Sequence, residues 1–569
     1  MCRDRLITTR AAVPPTSPLQ MLVILVLLFG LVACSATPAQ VGEDPIGGTP
    51  SPTDPMPDPD DPIPSDPIDP TDPTDPTDPI PPPPTDLPLA AAPTLLSFTP
   101  RHTGGDLAFT PGDDGGQPIT NYDVSFDGGD TWSALSPSQT LSPLIIRGLV
   151  DGTTYELVAA AVTAAGRGAP SISVRIEPHP QPIDVDAGAF HTVALNDDGT
   201  LSTWGWNSFG QLGHGYRSDT PVTQPTLVAD FPPEGSSIIA VAAGAAFTVA
   251  LLDDGALYTW GYNEHGQLGH GHTGIRSTPN RVTTFAPADT SVIGIAAGGR
   301  HVVALLSDGT IYTWGDGGNG QLGHDSKAVE LSPRRVSDFP SQGRRIVAIA
   351  AGGAHSVALL DDGALYTWGR NAGGQLGLGD FEERLTPTLV PSSPFGGAPL
   401  TSIAAGANHT AALLSDGDLY TWGLNDRGQL GHAVPSNRHT PTRVESIPLE
   451  GTSVEAITLG GEHSLALVST PSLYSWGYNF YGELGHDDTA IRLTPTLVAA
   501  SPSSASLVAL AAGQGHTVAL LDEGIVYAWG YNFYGQVGDE TRENRLSPVR
   551  VLGTGVVRID SGPIPLTRP

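Results

Sequence analysis

Cysteine is nearly absent. The chain has 569 residues and two cysteines, Cys2 and Cys34. No disulfide can staple anything beyond residue 34, so the cores that follow must hold by packing alone. Lysine is scarcer still, since Lys327 stands alone. With 27 basic residues against 59 acidic ones the formal charge is −32. Such a surface repels nucleic acid and anionic lipid headgroups. The apolar run at residues 21–33 has 13 residues, short of the roughly 20 that a membrane helix needs. Catalytic signatures are missing as well. There is no GxxxxGK[ST] phosphate loop, no HExxH, no EF-hand loop and no GxSxG elbow. Nothing marks an enzyme, and neither cofactor nor metal is expected.

What is present begins with an address. Arg3, Arg5 and Arg10 precede the apolar run, the layout of an export signal over residues 1–33. A short membrane anchor is the alternative. Leu31-Val32-Ala33-Cys34 resembles a bacterial lipobox, which implies a diacylated Cys34 and attachment to the cell envelope. Residues 34–90 then turn to Pro, Asp and Thr, with TDPTDPTDP at the centre and neither Lys nor Arg. Each residue before Pro is pushed to extended backbone. This composition cannot build a core, and it predicts a disordered, semi-rigid polyproline-II stalk of about 3.1 Å per residue or a plain flexible linker.

Residues 91–178 predict a small all-β domain. Tyr122, Val124 and Phe126 alternate, as do Tyr155, Leu157 and Ala159, between turn signals at Asp127-Gly128-Gly129 and Asp151-Gly152. Leu149 followed by Tyr155, and the AAGRGAPS string, resemble the tyrosine corner and last hairpin of a fibronectin type III sandwich. Phe109 stands where that family usually carries its core Trp. No Arg-Gly-Asp tripeptide occurs.

The remainder is periodic. Trp-Gly pairs fall at Trp204, Trp260, Trp314, Trp368, Trp422, Trp476 and Trp529, with spacings of 56, 54, 54, 54, 54 and 53. Within each period, short apolar runs end at Gly or Asp-Gly, the pattern of four strands joined by tight turns. A period near 50 means an array of stacked units, and a closed ring leaves no naked edge. The recurring strings AGGxH, ALLxDGxLYTWG, NxxGQLG and RxTPTxV span residues 183–562, with 563–569 a tail. They resemble the repeat of the regulator of chromosome condensation family, which implies a seven-bladed β-propeller. That family holds guanine-nucleotide exchange factors, a secreted enzyme inhibitor and many binding modules, so the fold does not fix the function. The strand-like segment at residues 556–562 copies residues 182–188. One of the two is expected to clasp the chain ends into a shared blade.

Several residues recur by position. His191, His301, His355, His409, His463 and His516 occupy one place in six repeats, and Phe247 takes it in the second. Zinc ligands must converge at about 2.0–2.1 Å from one point, whereas a ring spreads equivalent residues apart. Blade packing, with a ring N–H bonded to backbone, is therefore expected. Arg276, Arg384, Arg438, Arg492 and Arg545 each lie three residues before a Pro. They are read as blade-to-blade bonds, with anion binding as the alternative, and that Pro as the opening of the fourth strand. Asp184 and Asp186 sit in a strand copy and are discounted as a carboxylate pair.

One asymmetry points to function. In repeats six, seven, one and two the loop after Trp-Gly carries Tyr478, Phe480, Tyr481, Tyr531, Phe533, Tyr534, Trp206, Phe209 and Tyr262; repeats three to five lack such rings there. In a closed ring these four repeats are neighbours, so the rings would form one arc on one face. They either contact a protein or glycan or pack beneath their loops. The overall expectation is a non-enzymatic, monomeric, surface-anchored binding protein with an unidentified protein or glycan partner and no nucleic-acid partner. An exchange-factor-type regulator or an inhibitor of a secreted enzyme are the alternatives. Cys34→Ser is expected to release soluble protein or leave an unprocessed precursor on membrane fractionation. A processed, membrane-bound mutant would sink the lipobox reading.

Overall fold

The computed structural model describes residues 88–558, apart from 102, 284–289, 338, 340–342, 446, 448–452, 470–471, 500–506, 523 and 555–556. Cys34, the export signal and nearly all of the stalk lie outside the described residues. Within them the structure is all β except for one 3-10 turn, Ser393–Phe395. No helix among the described residues is long and apolar enough to cross a membrane.

The first domain is a two-sheet sandwich. Strands Thr94–Arg101, Gly104–Thr110 and Leu144–Arg147 form one sheet; Asn121–Ser125 and Tyr155–Thr163 lead the other. Phe98, Leu107, Tyr122, Leu144 and Leu157 fill the space between them. Phe109 meets Tyr122 edge-on at 4.7 Å, so a smaller ring fills the place of the usual indole. The Val150 N–H donates to Tyr155 Oη at 3.0 Å, which is the corner that the sequence spacing predicts.

Seven four-stranded sheets follow, each built from consecutive strands and ordered from first to fourth across the blade. In blade four these are Ile346–Ala351, His355–Leu360, Leu365–Gly369 and Arg384–Leu389, all antiparallel. The Asp-Gly turn works because Gly363 takes φ 82°, a region costly for residues with a side chain. Every second strand is buried along its whole length. A strand between two neighbouring blades has no solvent side, which explains why runs such as HSVALL do not alternate in polarity. The first strands converge on a narrow axial channel of about 140 Å³, walled largely by alanines such as Ala243, Ala297, Ala351 and Ala405. Asp186 lies in this layer, and its carboxylate accepts the Ala243 N–H at 2.8 Å. It therefore stitches blade one to blade two.

The seams between blades share one design. The indole N–H of Trp368 and the hydroxyl of Ser356 both donate to the backbone carbonyl of Gln321 in the preceding blade, at 2.9 and 2.8 Å. His301 Nε2 of that preceding blade lies 2.9 Å from the same hydroxyl. Because the hydroxyl's proton is committed to the carbonyl, the ring must carry its proton on Nε2. The sequence-based expectation of a backbone partner for these histidines is thus corrected: the partner is a Ser or Thr hydroxyl of the next blade. The opposite ring nitrogen, Nδ1, has no hydrogen-bond partner in His191, His301, His355, His409 and His516. Burial pushes their pKa values down to about 3 or about 4, so they stay neutral. Phe247 faces Val302 instead, both within one apolar cluster. The substitution of His by Phe is matched by loss of the hydroxyl opposite.

Ring closure differs from expectation. The seam from blade seven to blade one repeats the others: Trp204 and Thr192 donate to the Gln536 carbonyl at 2.9 and 2.8 Å, and His516 Nε2 meets Thr192 Oγ1 at 3.0 Å. Pro182–Ala187 is the first strand of blade one, beside His191–Asn196. The late strand, Val557–Arg558, joins no blade and pairs with Phe98 and Ser97 of the sandwich. Among the described residues no strand is shared between the ends, and the seam is closed by side-chain hydrogen bonds. The sandwich is also tied to the ring by Arg101, which reaches Asp106 at 2.9 Å and Asp197 of blade one at 3.2 Å.

Two measurements test this. Deleting residues 557–569 should leave the ring's melting temperature within about 2 °C, because Val557–Arg558 pairs with the sandwich and not with a blade; deleting residues 182–187 should give insoluble protein. At a seam, Thr410→Val leaves the His355 N–H unpaired and should cost about 1–3 kcal/mol. Adding His355→Phe reproduces the Phe247–Val302 pair and should cost less than the sum of the single changes. The pH sign follows from the lowered pKa of His355, about 3 when folded against an ordinary 6.5. The unfolded chain binds the extra proton, so stability falls as pH drops from 6.5 towards 3. His355→Phe should reduce the slope of stability against pH near pH 5 by about 1.4 kcal/mol per unit.

Candidate functional site

Six of the seven loops after Trp-Gly are folded around an Asn; blade three carries Gly317 at that place. Asn479 Oδ1 accepts the Leu484 N–H at 2.9 Å, while its Nδ2 donates to the Asp488 and Ala490 carbonyls at 2.9 and 3.1 Å. Asn207, Asn371 and Asn532 make the same first contact with Leu212, Leu376 and Val537. A Gln follows in six blades and a Glu in blade six, and its side chain accepts the N–H two residues back, as Gln536 does from Tyr534 at 3.0 Å. The loops are also bonded to the turns between first and second strands. The N–H groups of Trp206, Tyr478 and Tyr531 reach the carbonyls of Phe190, Glu462 and Gly515 at 2.9, 2.9 and 2.7 Å. Both sets therefore lie on one face.

On that face the rings are continuous. Phe480 meets Tyr481 at 5.2 Å, Tyr481 meets Tyr531 at 4.7 Å, and Tyr531 meets Tyr534 at 6.2 Å. Tyr534 meets Trp206 at 5.4 Å, Trp206 meets Phe209 at 5.1 Å, and Phe209 meets Tyr262 at 4.8 Å. Tyr478 stacks beside Phe480 at 6.3 Å and Phe533 beside Tyr531 at 6.5 Å. All nine rings named from sequence thus fall in one chain of contacts across blades six, seven, one and two. Phe480 and Phe533 are 63 % and 51 % exposed, and the other seven are half-buried.

A tenth ring belongs with them. Phe190 contacts Trp206, Tyr531 and Tyr534 at 5.8, 5.9 and 5.3 Å. It lies in a first-to-second turn, directly before His191, where the other repeats carry Ala, Arg, Asn, Glu or Gly. Comparing that column was the signal available. Cations border the arc: Arg427 lies over the Tyr478 ring at 5.6 Å and Arg542 over Phe533 at 4.6 Å.

The other candidates are structural. Arg384 and Arg492 pair with Asp380 and Asp488 at 2.6 Å, and Arg545 pairs with Asp539. Arg276 and Arg438 reach His272 and Ser436 at 2.8 and 2.7 Å. These partners belong to the same loop, so the bonds are not blade to blade as expected. Fourth strands begin at the Arg, with the Pro inside, as in Arg384–Leu389; an outer edge strand tolerates its missing N–H. A second set of histidines went unread: His214, His270, His324, His432 and His486 each lie 2.9 or 3.0 Å from a Thr or Ser hydroxyl of the third strand. No metal-binding cluster occurs among the described residues.

Comparison with known proteins decides the family. The pattern described as RCC1-like domain matches residues 161–509, and the Regulator of chromosome condensation (RCC1) repeat matches residues 507–536 and 523–563. The chain belongs to the RCC1-like family. A Fibronectin type III domain pattern matches residues 91–177 ahead of the RCC1-like propeller. The propeller is similar to the Ultraviolet-B receptor UVR8 of Arabidopsis thaliana, 36 % identical over 355 residues, covering 62 % of this chain and 78 % of that one. It also resembles the E3 ubiquitin-protein ligase HERC2 of Homo sapiens, 33 % identical over 62 % of this chain but only 7 % of the ligase. Among solved structures, yeast RCC1 (Prp20), crystallised bound to Kap60, is 27 % identical with a TM-score of 0.55, covering 65 % of this chain and 84 % of that one. These relatives support a binding or regulatory role in general terms.

Proposed function

We propose that this RCC1-like protein is a non-enzymatic binding protein, carried on the cell envelope by a lipid at Cys34, whose working surface is the aromatic arc. The observation that carries this is the continuity of the ten rings on one face, with Phe480 and Phe533 largely exposed. The propeller frame does not require them, since repeats three to five build the same loop around Asn319, Gly373 and Arg427. Half-buried rings that support exposed ones are pre-ordered, so contact costs little side-chain entropy. A protein or glycan surface is the partner class that such an arc fits. The stalk holds the sandwich and ring away from the membrane.

Replacing Tyr481 and Tyr534 with Ala should weaken binding to a partner captured from the envelope at least tenfold, about 1.4 kcal/mol. The melting temperature should be nearly unchanged, and Asn319→Ala with Arg427→Ala should matter less. A double mutant that unfolds would assign the rings to the frame. One that folds and binds normally would move the working surface to the opposite face.

A further inference from the structure

Six of the seven equivalent loop positions hold Gln, and the seventh holds Glu483. Glu483 is 1 % exposed. Its Oε2 accepts the Tyr481 N–H at 2.8 Å, as each Gln does in its own blade. Its Oε1 has no hydrogen-bond partner. In Gln211, Gln267, Gln375 and Gln536 the corresponding orphan is the Nε2 donor. Blade six alone inverts the polarity: it presents an acceptor that wants a donor from outside.

Space for that donor lies next to it. The position before the recurring His is a side chain in every blade but seven, where it is Gly515. A methyl group placed on Gly515 would lie 3.4 Å from Tyr531 Cβ, 3.8 Å from Glu483 Oε1 and 3.9 Å from Tyr481 Cδ2. These are ordinary contact distances, so a small group fits there. The rings of Tyr481 and Tyr531 flank it, with centroids 4.7 Å apart. Arg427 and Arg542 already lie over neighbouring rings, so this arc accepts cations on its aromatic faces. Glu462, from the turn of blade six, adds a second carboxylate nearby.

We infer that the space above Gly515 is a subsite for an alkylammonium group, with Glu483 as its counter-ion and Tyr481 and Tyr531 as walls. Its occupant is a lysine side chain of a protein partner laid on the arc. The inference rests on the reading of the arc as the binding face. A chain with charge −32 and a single lysine suits a cationic partner. Entry of the ammonium ionises the carboxyl, and the displaced proton leaves to solvent. Burial, with Glu462 nearby, raises the Glu483 pKa to about 7. The carboxylate is therefore available above pH 7 and lost as pH falls below it. The other titratable groups around it are Tyr478, Tyr481, Tyr531 and the neutral buried His463 and His516, with Arg427 beyond Glu462.

The test uses the intact protein and two probes of equal side-chain length, N-acetyl-lysine methylamide and its neutral analogue, the methylamide of N-acetyl-2-aminoheptanoic acid, titrated by NMR. At pH 8 the lysine probe should bind about tenfold more tightly than the neutral one. At pH 6 that preference should shrink, and binding should release protons. Glu483→Gln places in blade six the residue that the other blades carry, so it should fold normally and lose the preference. Gly515→Ala, whose methyl fills the space without a clash, should lose it too. Equal binding of both probes, no binding of the lysine probe, or a preference that survives both variants would overturn the subsite. The readings fail separately. Loss of partner binding in the Tyr481/Tyr534 double mutant without any lysine preference keeps the arc and removes the subsite. A lysine preference beside a double mutant that binds its partner normally removes the arc as the partner face.

Discussion

One backbone carbonyl per seam holds this ring together. It belongs to the Gln, or Glu483, that closes the loop after Trp-Gly, and it accepts an indole N–H and usually a hydroxyl from the next blade. The hydroxyl in turn accepts from a histidine of the carbonyl's own blade. Each such chain is buried, where a hydrogen bond is strong and an unpaired group is costly. A blade shifted by one residue would break all three bonds together, so the seam fixes register as well as adhesion. The tryptophans are therefore invariant among the seven repeats for a polar reason as well as an apolar one.

That fixed frame leaves the loop surface free. Asn479 and its counterparts fold six of the loops from within, and in all seven the Gln or Glu side chain braces the tip. The residues between those anchors are released from structural duty. Evolution could place Tyr and Phe in blades six and seven and Arg, Asp or Gly in blades three to five without retuning the ring. The same logic makes Glu483 informative, because a bracing position is where an acid is least expected.

Much of this was legible in the residues. The Trp-Gly spacing implied seven blades, and strand alternation placed the loops and turns on one face, so the neighbours of Tyr534 followed from ring order alone. What stayed illegible needed coordinates. His191 offers no hint in sequence that its partner is Thr248, 57 residues on, since the bond crosses a seam. The segment at 556–562 copies an inner strand, yet Val557–Arg558 pairs with the sandwich, because sequence likeness reports a strand and not its neighbour. Phe190 is hidden in the sequence because it belongs to a turn, one element away from the ring-bearing loops.

The seam between blades seven and one has an implication for how such rings arise and change. Since every blade is one unbroken segment of chain, no blade depends on where the polypeptide starts. The two ends of the ring also lie close together, with Gln181 beside Gly524 and Thr554 bonded to Val526. The ring is thus a natural substrate for circular permutation and for whole-repeat duplication. A new start point at any blade boundary preserves every blade and every seam; it moves the place where the sandwich is attached and gives up the pairing of Val557–Arg558 with the sandwich.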